Sequence, residues 1–237
     1  MKAATDQLSA ALTGVDWNQN VKVFLQDPDS LKAISACNYR LALWSREFEV
    51  IEEGNPALPF IRAMQTAGHH VAALASLALY GAAAGSVREV LETALYYTYF
   101  RSHPVELATL ATRTNYFITK QDVLDYHRLH TRRFAECERK LGLVARLNDW
   151  YRSISAIVHG QVPGVWVVHA NLDEIRHSQP TLAALIGHFR EAEELVNRLF
   201  LCTAGRDLWH DVRSSAKMQL LKGLTGDDKT TLQLDSA

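Results

Sequence analysis

Only 6 prolines and 12 glycines interrupt this chain of 237 residues, and that scarcity of breakers constrains its fold more than any motif does. Proline removes a backbone donor and fixes φ, and glycine lowers helix stability by about 1 kcal/mol relative to alanine. Long stretches without either leave room for long helices. Few windows alternate apolar and polar positions with β-branched side chains, as a half-buried strand does. The expectation is an all-α protein. An apolar fraction of 48% against 22% charged residues suits a chain with a real hydrophobic core.

Start and stop signals divide the chain. The first thirty residues read as a loosely attached arm. Asp27-Pro28-Asp29-Ser30 starts a helix over about Leu31 to Glu53, with Asp29 or Ser30 as its cap, and Gly54-Asn55-Pro56 stops it. A second helix covers about Leu58 to Ala82. The glycines at 81 and 85 place a break near Gly85, after which Ser86-Val87-Arg88-Glu89 restarts the chain as a capping box. Val87, Val90, Leu91, Ala94, Leu95 and Thr98 form an apolar stripe on the next helix, which Pro104 ends. Pro104 itself opens a short helix to about Thr112. Thr119 begins a long polar helix ending at Gly142. Asn148 or Asp149 caps another, Trp150 to His159, closed by Gly160 and Pro163. Gln161 to Gln179 reads as a loop with one short strand at Val165 to Val168. Pro180 starts a helix through about Thr203, a shorter one follows near Ser215 to Leu224, and the tail after Gly226 frays. The division is 1–57, an arm and first helix; 58–205, a helical domain; and 206–237, a C-terminal helix and tail, all packed as one unit.

A net charge of −1 gives no global attraction to nucleic acid or membrane. Charge is uneven, however. Between positions 127 and 152, Arg128, Arg132, Arg133, Arg139, Lys140, Arg146 and Arg152 face only Glu136, Glu138 and Asp149. Cys37, Cys137 and Cys202 are far apart, with no C-x-x-C, which fits a reducing compartment and no zinc site. The N-terminus lacks an apolar signal core. The uncharged stretch Val71 to Val87 is rich in Ala and Gly and shorter than the roughly 20 apolar residues of a spanning helix, so it reads as a buried helix and a turn. A cytoplasmic protein without membrane association is expected.

Nucleophile elbows, phosphate-cradling glycine loops and dinucleotide fingerprints are absent. Glu174-Ile175-Arg176-His177 is the sole Glu-x-x-His and lies in a loop, so no di-iron site and no other metal or cofactor is expected. His127 and His130 share a helix face without a third ligand and read as a solvated or RNA-facing pair. What is left is Arg152 and His159. Seven helical steps return nearly to the same face about 10.5 Å further along the axis, and an extended arginine can cover much of that distance. A histidine with a reference pKa of about 6.5 can exchange protons at neutral pH, and a guanidinium can hold charge developing on phosphorus with two parallel hydrogen bonds.

Arg152-x6-His159 on a helix of a helical domain resembles the HEPN superfamily (higher eukaryotes and prokaryotes nucleotide-binding domains). The resemblance covers about Leu58 to Thr203 and rests on the longest spacing its Arg-x4–6-His motif allows; Ser153 supplies the polar residue often found after the arginine. It implies a dimeric helical bundle, here with an extra N-terminal helix and a short C-terminal one. It further implies a metal-independent endoribonuclease, a toxin or effector in phage defence or a toxin–antitoxin system with an antitoxin or defence-system partner. Arg152, His159 and Ser153 would be catalytic, and His127, Arg128, Arg132 and Arg133 would bind RNA. The other class of function open to the chain is a non-catalytic, partner-binding or scaffold subunit of a defence complex.

Each residue also has a plainer role. Arg62-x6-His69 matches the same motif, early in a helix that turns apolar and packs. His159 can be a helix C-terminal cap, Arg152 an ion pair with Asp149 or Glu138, Ser155 a solvent-facing serine or a hydrogen-bond partner that orients the imidazole. Arg88 and Glu92 form an i, i+4 pair of the solvated kind, worth a few tenths of a kcal/mol. Arg128, Arg132 and Arg133 are a charged helix face as readily as an RNA-binding one. Gly81 to Gly85 and Tyr96 to Phe100 carry more small and aromatic surface than one helical layer needs, the reason from the residues for a two-fold homodimer.

Overall fold

In the computed structural model, which describes residues 2–161, 166 and 169–234, the order is helical and no strand forms among those residues. The expected strand at Val165 to Val168 lies, apart from Trp166, outside the described residues. The helices are α1 (Lys2–Gly14), α2 (Trp17–Leu25), α3 (Pro28–Ile51), α4 (Leu58–Ser76), α5 (Tyr80–Phe100), α6 (Pro104–Thr112), α7 (Lys120–His130), α8 (Phe134–Leu141), α9 (Leu143–Val158), α10 (Gln179–Cys202), α11 (Ala204–Asp207), α12 (Ser214–Leu220) and α13 (Gly226–Leu232). No described helix is long and apolar enough to cross a membrane.

Helix α5 is the hub, packed against α4, α9, α10 and α7, while α3 packs on α4 and α10. Its stripe Val87, Val90, Leu91, Ala94, Leu95 and Thr98 is buried. An aromatic cluster ties the layers together. Trp44 of α3 lies 5.1 Å from Phe48 and 5.3 Å from Phe200 of α10, and Phe48 lies 4.8 Å from Tyr97 of α5. The indole N–H of Trp44 donates to Asn197 at 2.9 Å, and Asn197 donates to the Leu220 carbonyl at 3.0 Å, so the cluster satisfies its buried polar atoms and pins α12.

Several boundaries follow the sequence signals. Helix α3 starts within the Asp27–Ser30 signal, but its cap is Asp27, through the Ser30 amide, and not Asp29 or Ser30, which lie with Pro28 in its first turn. Pro104 opens α6, and Thr119 and Asp122 form the capping box of α7. Others differ. Helix α5 runs unbroken through Gly81 and Gly85, because the helix is packed on several sides and packing outweighs the propensity cost of two glycines. The break comes earlier, at 77–79, where Ala78 takes φ 60°. The polar helix expected from Thr119 to Gly142 divides at 131–133, with Arg133 at φ 61°. Helix α9 starts at Leu143 after Gly142 at φ 61°, so Asn148 and Asp149 sit inside it rather than capping it. The first thirty residues are no loose arm. Asn20 of α2 donates to the Ile175 carbonyl at 3.3 Å and accepts from the His177 amide at 3.0 Å, and Val15 and Phe24 join the core. The tail past Gly226 is also ordered, with a Thr225–Asp228 capping box and buried Leu232.

Tyr97 and Phe100 are buried inside the chain, as are Ala83 and Ala84. Part of the surface taken from the sequence as a reason for a dimer is therefore covered within one molecule, while Gly81 and Ala82 are exposed and Gly85, Tyr96 and Tyr99 are half-buried.

Candidate active site

The last turn of α9 presents His159. Gly160 takes φ 64°, and the Gln161 amide turns back to the Ala156 carbonyl at 2.8 Å, which closes the helix and leaves the imidazole exposed at its end. Its Nε2 accepts a hydrogen bond from Nη1 of Arg88, on α5, at 3.1 Å. A guanidinium only donates, so the imidazole carries its proton on Nδ1 in this arrangement. Arg88 is held from two more sides. Its Nε donates to Glu92 at 2.9 Å and its Nη2 to the Tyr151 hydroxyl at 2.8 Å, and that hydroxyl donates to the same Glu92 oxygen at 2.6 Å. Arg88 is only 23% exposed. The solvated i, i+4 pair expected from the sequence is instead the centre of a four-residue network joining α5 to α9. Burial opposes the Arg88 charge, but Glu92 and Tyr151 outweigh it and hold its pKa above the ordinary value. Burial and Glu92 push the Tyr151 hydroxyl up to about 12.

Tyr151 divides two adjoining clefts. One, of about 280 Å3, is lined by Arg88, Glu92, Tyr96, Ile118, Lys120 and Tyr151. The other, of about 470 Å3, is lined by Lys120, Asn148, Tyr151, Arg152, Ser155 and Gln161. Tyr151 and Lys120 belong to both, so the two clefts form one furrow across α5, α7 and α9. Lys120 lies 4.8 Å from the Tyr151 ring centroid and bonds Asn148. Burial lowers its pKa, and the nearby Arg152 charge lowers it further. Arg88, Lys120 and Arg152 thus put three cations along one furrow.

The sequence-derived residues meet this geometry unevenly. Arg152 is 78% exposed and pairs with Asp149 at 3.3 Å; among the described residues no hydrogen bond joins it to His159. The cation at the imidazole is Arg88. The Ser153 side chain is exposed and makes no hydrogen bond among the described residues. Ser155 lines the furrow with a buried hydroxyl that has no partner among those residues, and it does not reach His159. His127 corrects the expectation of a solvent- or RNA-facing residue. It is 2% exposed, and its nitrogens bond the hydroxyls of Thr98 at 2.9 Å and Thr131 at 2.7 Å. Arg128 is bound by Asp125 and Glu138, and Arg133 by Glu136, all at 2.8–3.0 Å. Of these three arginines, only Arg132 has no ion pair among the described residues. Arg62 pairs with Glu49 at 2.8 Å, and His69 is exposed on α4 rather than packed.

The chain matches no family model, no curated protein and no solved structure. Its site is therefore read from its own geometry. Among the described residues no group of three His, Cys, Asp or Glu could hold a metal ion. Reading the sequence missed Arg88, Lys120 and Tyr151 as site residues. The one signal for Arg88 was its place beside the apolar stripe of α5 rather than opposite it.

Proposed function

We propose that the furrow binds RNA and cleaves it without a metal ion, with Arg88, Lys120 and Arg152 of the furrow and His159, bonded to Arg88 beside it, as the four working residues. The observation that carries this reading is the 3.1 Å contact between Arg88 and His159, with Arg88 braced by Glu92 and Tyr151. A braced guanidinium beside an imidazole supplies both needs of the reaction, charge stabilisation at phosphorus and proton transfer. When a phosphodiester enters, Arg88 turns onto its oxygens and releases His159 Nε2. That nitrogen takes the 2′-hydroxyl proton as the 2′-oxygen bonds to phosphorus and the P–O5′ bond breaks. The departing 5′-oxygen takes a proton from Lys120, whose lowered pKa makes it a better acid. The products are a 2′,3′-cyclic phosphate and a 5′-hydroxyl. Arg152, open to solvent on the same furrow, holds the neighbouring phosphate.

The resemblance to HEPN ribonucleases supports the same chemistry and supplies its setting, an effector of defence or toxin–antitoxin systems acting as a homodimer. A substrate carrying 2′-deoxy at one position, incubated with EDTA, tests the mechanism. Cleavage at every bond except the one following the 2′-deoxy position supports it; cleavage there, or activity only with added magnesium, refutes it.

One observation favours a non-catalytic subunit instead. The Arg88 N–H fills the lone pair that His159 would need as a base, as a purely structural bracket between α5 and α9 would. Under that reading RNA stays intact at all enzyme concentrations.

A further inference from the structure

A larger cavity, of about 660 Å3, lies between the first half of α3, the middle of α10 and the turn after α12. That volume is typical of small-molecule sites. Ala33, Ala36 and Cys37 stand on one side of α3 and form a trough of small side chains. Burial pushes the Cys37 thiol up to about 12, so it is a neutral wall and not a nucleophile. At the inner end Glu193, 3% exposed, takes both prongs of Arg40, whose remaining nitrogen donates to the Lys222 carbonyl at 3.0 Å. These two charges cancel.

The rim is different. Lys32, Arg190 and Lys222 line the cavity, and none has an ion pair among the described residues. Of the rim acids, Glu194 is bound by Arg146 and Arg198 at 3.1 Å each, which leaves Asp29. Three unpaired cations against one carboxylate are a net excess of two. Tyr39, 55% exposed, stands on the same rim.

We propose that this cavity binds a small aromatic phosphate monoester, its ring over the Ala33–Ala36–Cys37 trough beside Tyr39 and its phosphate on Lys32, Arg190 and Lys222. A phosphate monoester carries about −1.5 to −2 charges at pH 7, which matches the excess, whereas a carboxylate would leave part of it unbalanced. An arginine fork and two ammonium groups suit its oxygens. An exposed tyrosine above a trough of small apolar side chains suits a flat ring. The proposal does not depend on the ribonuclease reading.

Calorimetric titration with 1-naphthyl phosphate, inorganic phosphate and 1-naphthol tests it. Naphthyl phosphate should bind in the micromolar range, at least about tenfold tighter than either half-molecule, since naphthol loses the charge-assisted contacts and inorganic phosphate loses the buried ring, each worth about that factor or more. Arg190→Glu with Lys222→Glu should abolish binding. Tyr39→Ala should weaken naphthyl phosphate and leave inorganic phosphate unchanged. Lys22→Ala, which removes an exposed cation outside this cavity and the furrow, should change nothing. All of the charge-altered side chains are exposed, so these variants fold; Ala36→Trp, which fills the trough, should block binding without shifting the melting temperature. Equal affinity for phosphate and naphthyl phosphate, binding that survives the double reversal, or no binding at all would overturn the proposal.

Discussion

Arg88 and His159 lie 71 residues apart in sequence and touch at 3.1 Å, the guanidinium donating to the imidazole. The contact spans two helices, so nothing within either helix dictates it. It depends on Tyr151, which sits eight residues before His159 on the same helix and donates to Glu92 while accepting from Arg88.

Tyr151→Phe separates the hydroxyl from the ring. It removes two partly buried hydrogen bonds while keeping the packing. The expected cost is about 1–2 kcal/mol, read as a drop of a few degrees in Tm, and a weaker site because Arg88 loses one brace. An unchanged Tm together with unchanged activity would show that the hydroxyl does not organise the site.

Gly205 carries a prediction about the core. A Cβ there would stand 2.5 Å and 2.7 Å from Trp44 ring atoms and 2.9 Å from the Phe200 carbonyl. Trp44 is fully buried and cannot move aside. Gly205→Ala should therefore destabilise the protein by about 1–3 kcal/mol, measured by urea unfolding. Wild-type stability would mean that this contact is looser than the packing indicates.

His127 should make the protein acid-sensitive. Burial holds its folded-state pKa at about 4, against 6.5 for the free side chain. Between those values the unfolded chain binds a proton that the folded protein refuses, so stability falls as pH drops from 6.5 through 4. A shift of that size corresponds to about 3 kcal/mol. His127→Gln, which cannot titrate, should flatten this part of the curve of unfolding free energy against pH. An identical slope in the variant would place the sensitivity elsewhere.

Much of the fold could be read along the chain, and the reasons are local. Pro104 and the Thr119–Asp122 box act within one helical turn, so sequence signals and structure coincide there. Ala78 and Arg133 take left-handed conformations that neither residue type announces, and the helix breaks they mark were placed wrongly or missed. Gly85 shows the converse, a breaker overruled by the neighbours of α5. The candidate site was half legible. The Gly160 turn that exposes His159 can be read from the sequence. Arg88 cannot, because an i, i+4 pair looks the same whether it faces water or a histidine 71 residues away. For the same reason His127, one turn from an exposed Leu129 and His130, gave no sign that it points inward.

The most direct test is a single-turnover cleavage assay on a mixed-sequence RNA in EDTA, with wild type, His159→Ala, Arg88→Ala and Arg88→Lys, and melting temperatures recorded alongside. Wild type should leave 2′,3′-cyclic phosphate ends. His159→Ala and Arg88→Ala should each slow cleavage by about 10²-fold or more, and Arg88→Lys should recover little of it, because an ammonium keeps the charge and loses the fork. RNA left intact by wild type, or cut at the wild-type rate by a folded Arg88→Ala protein, would contradict the account.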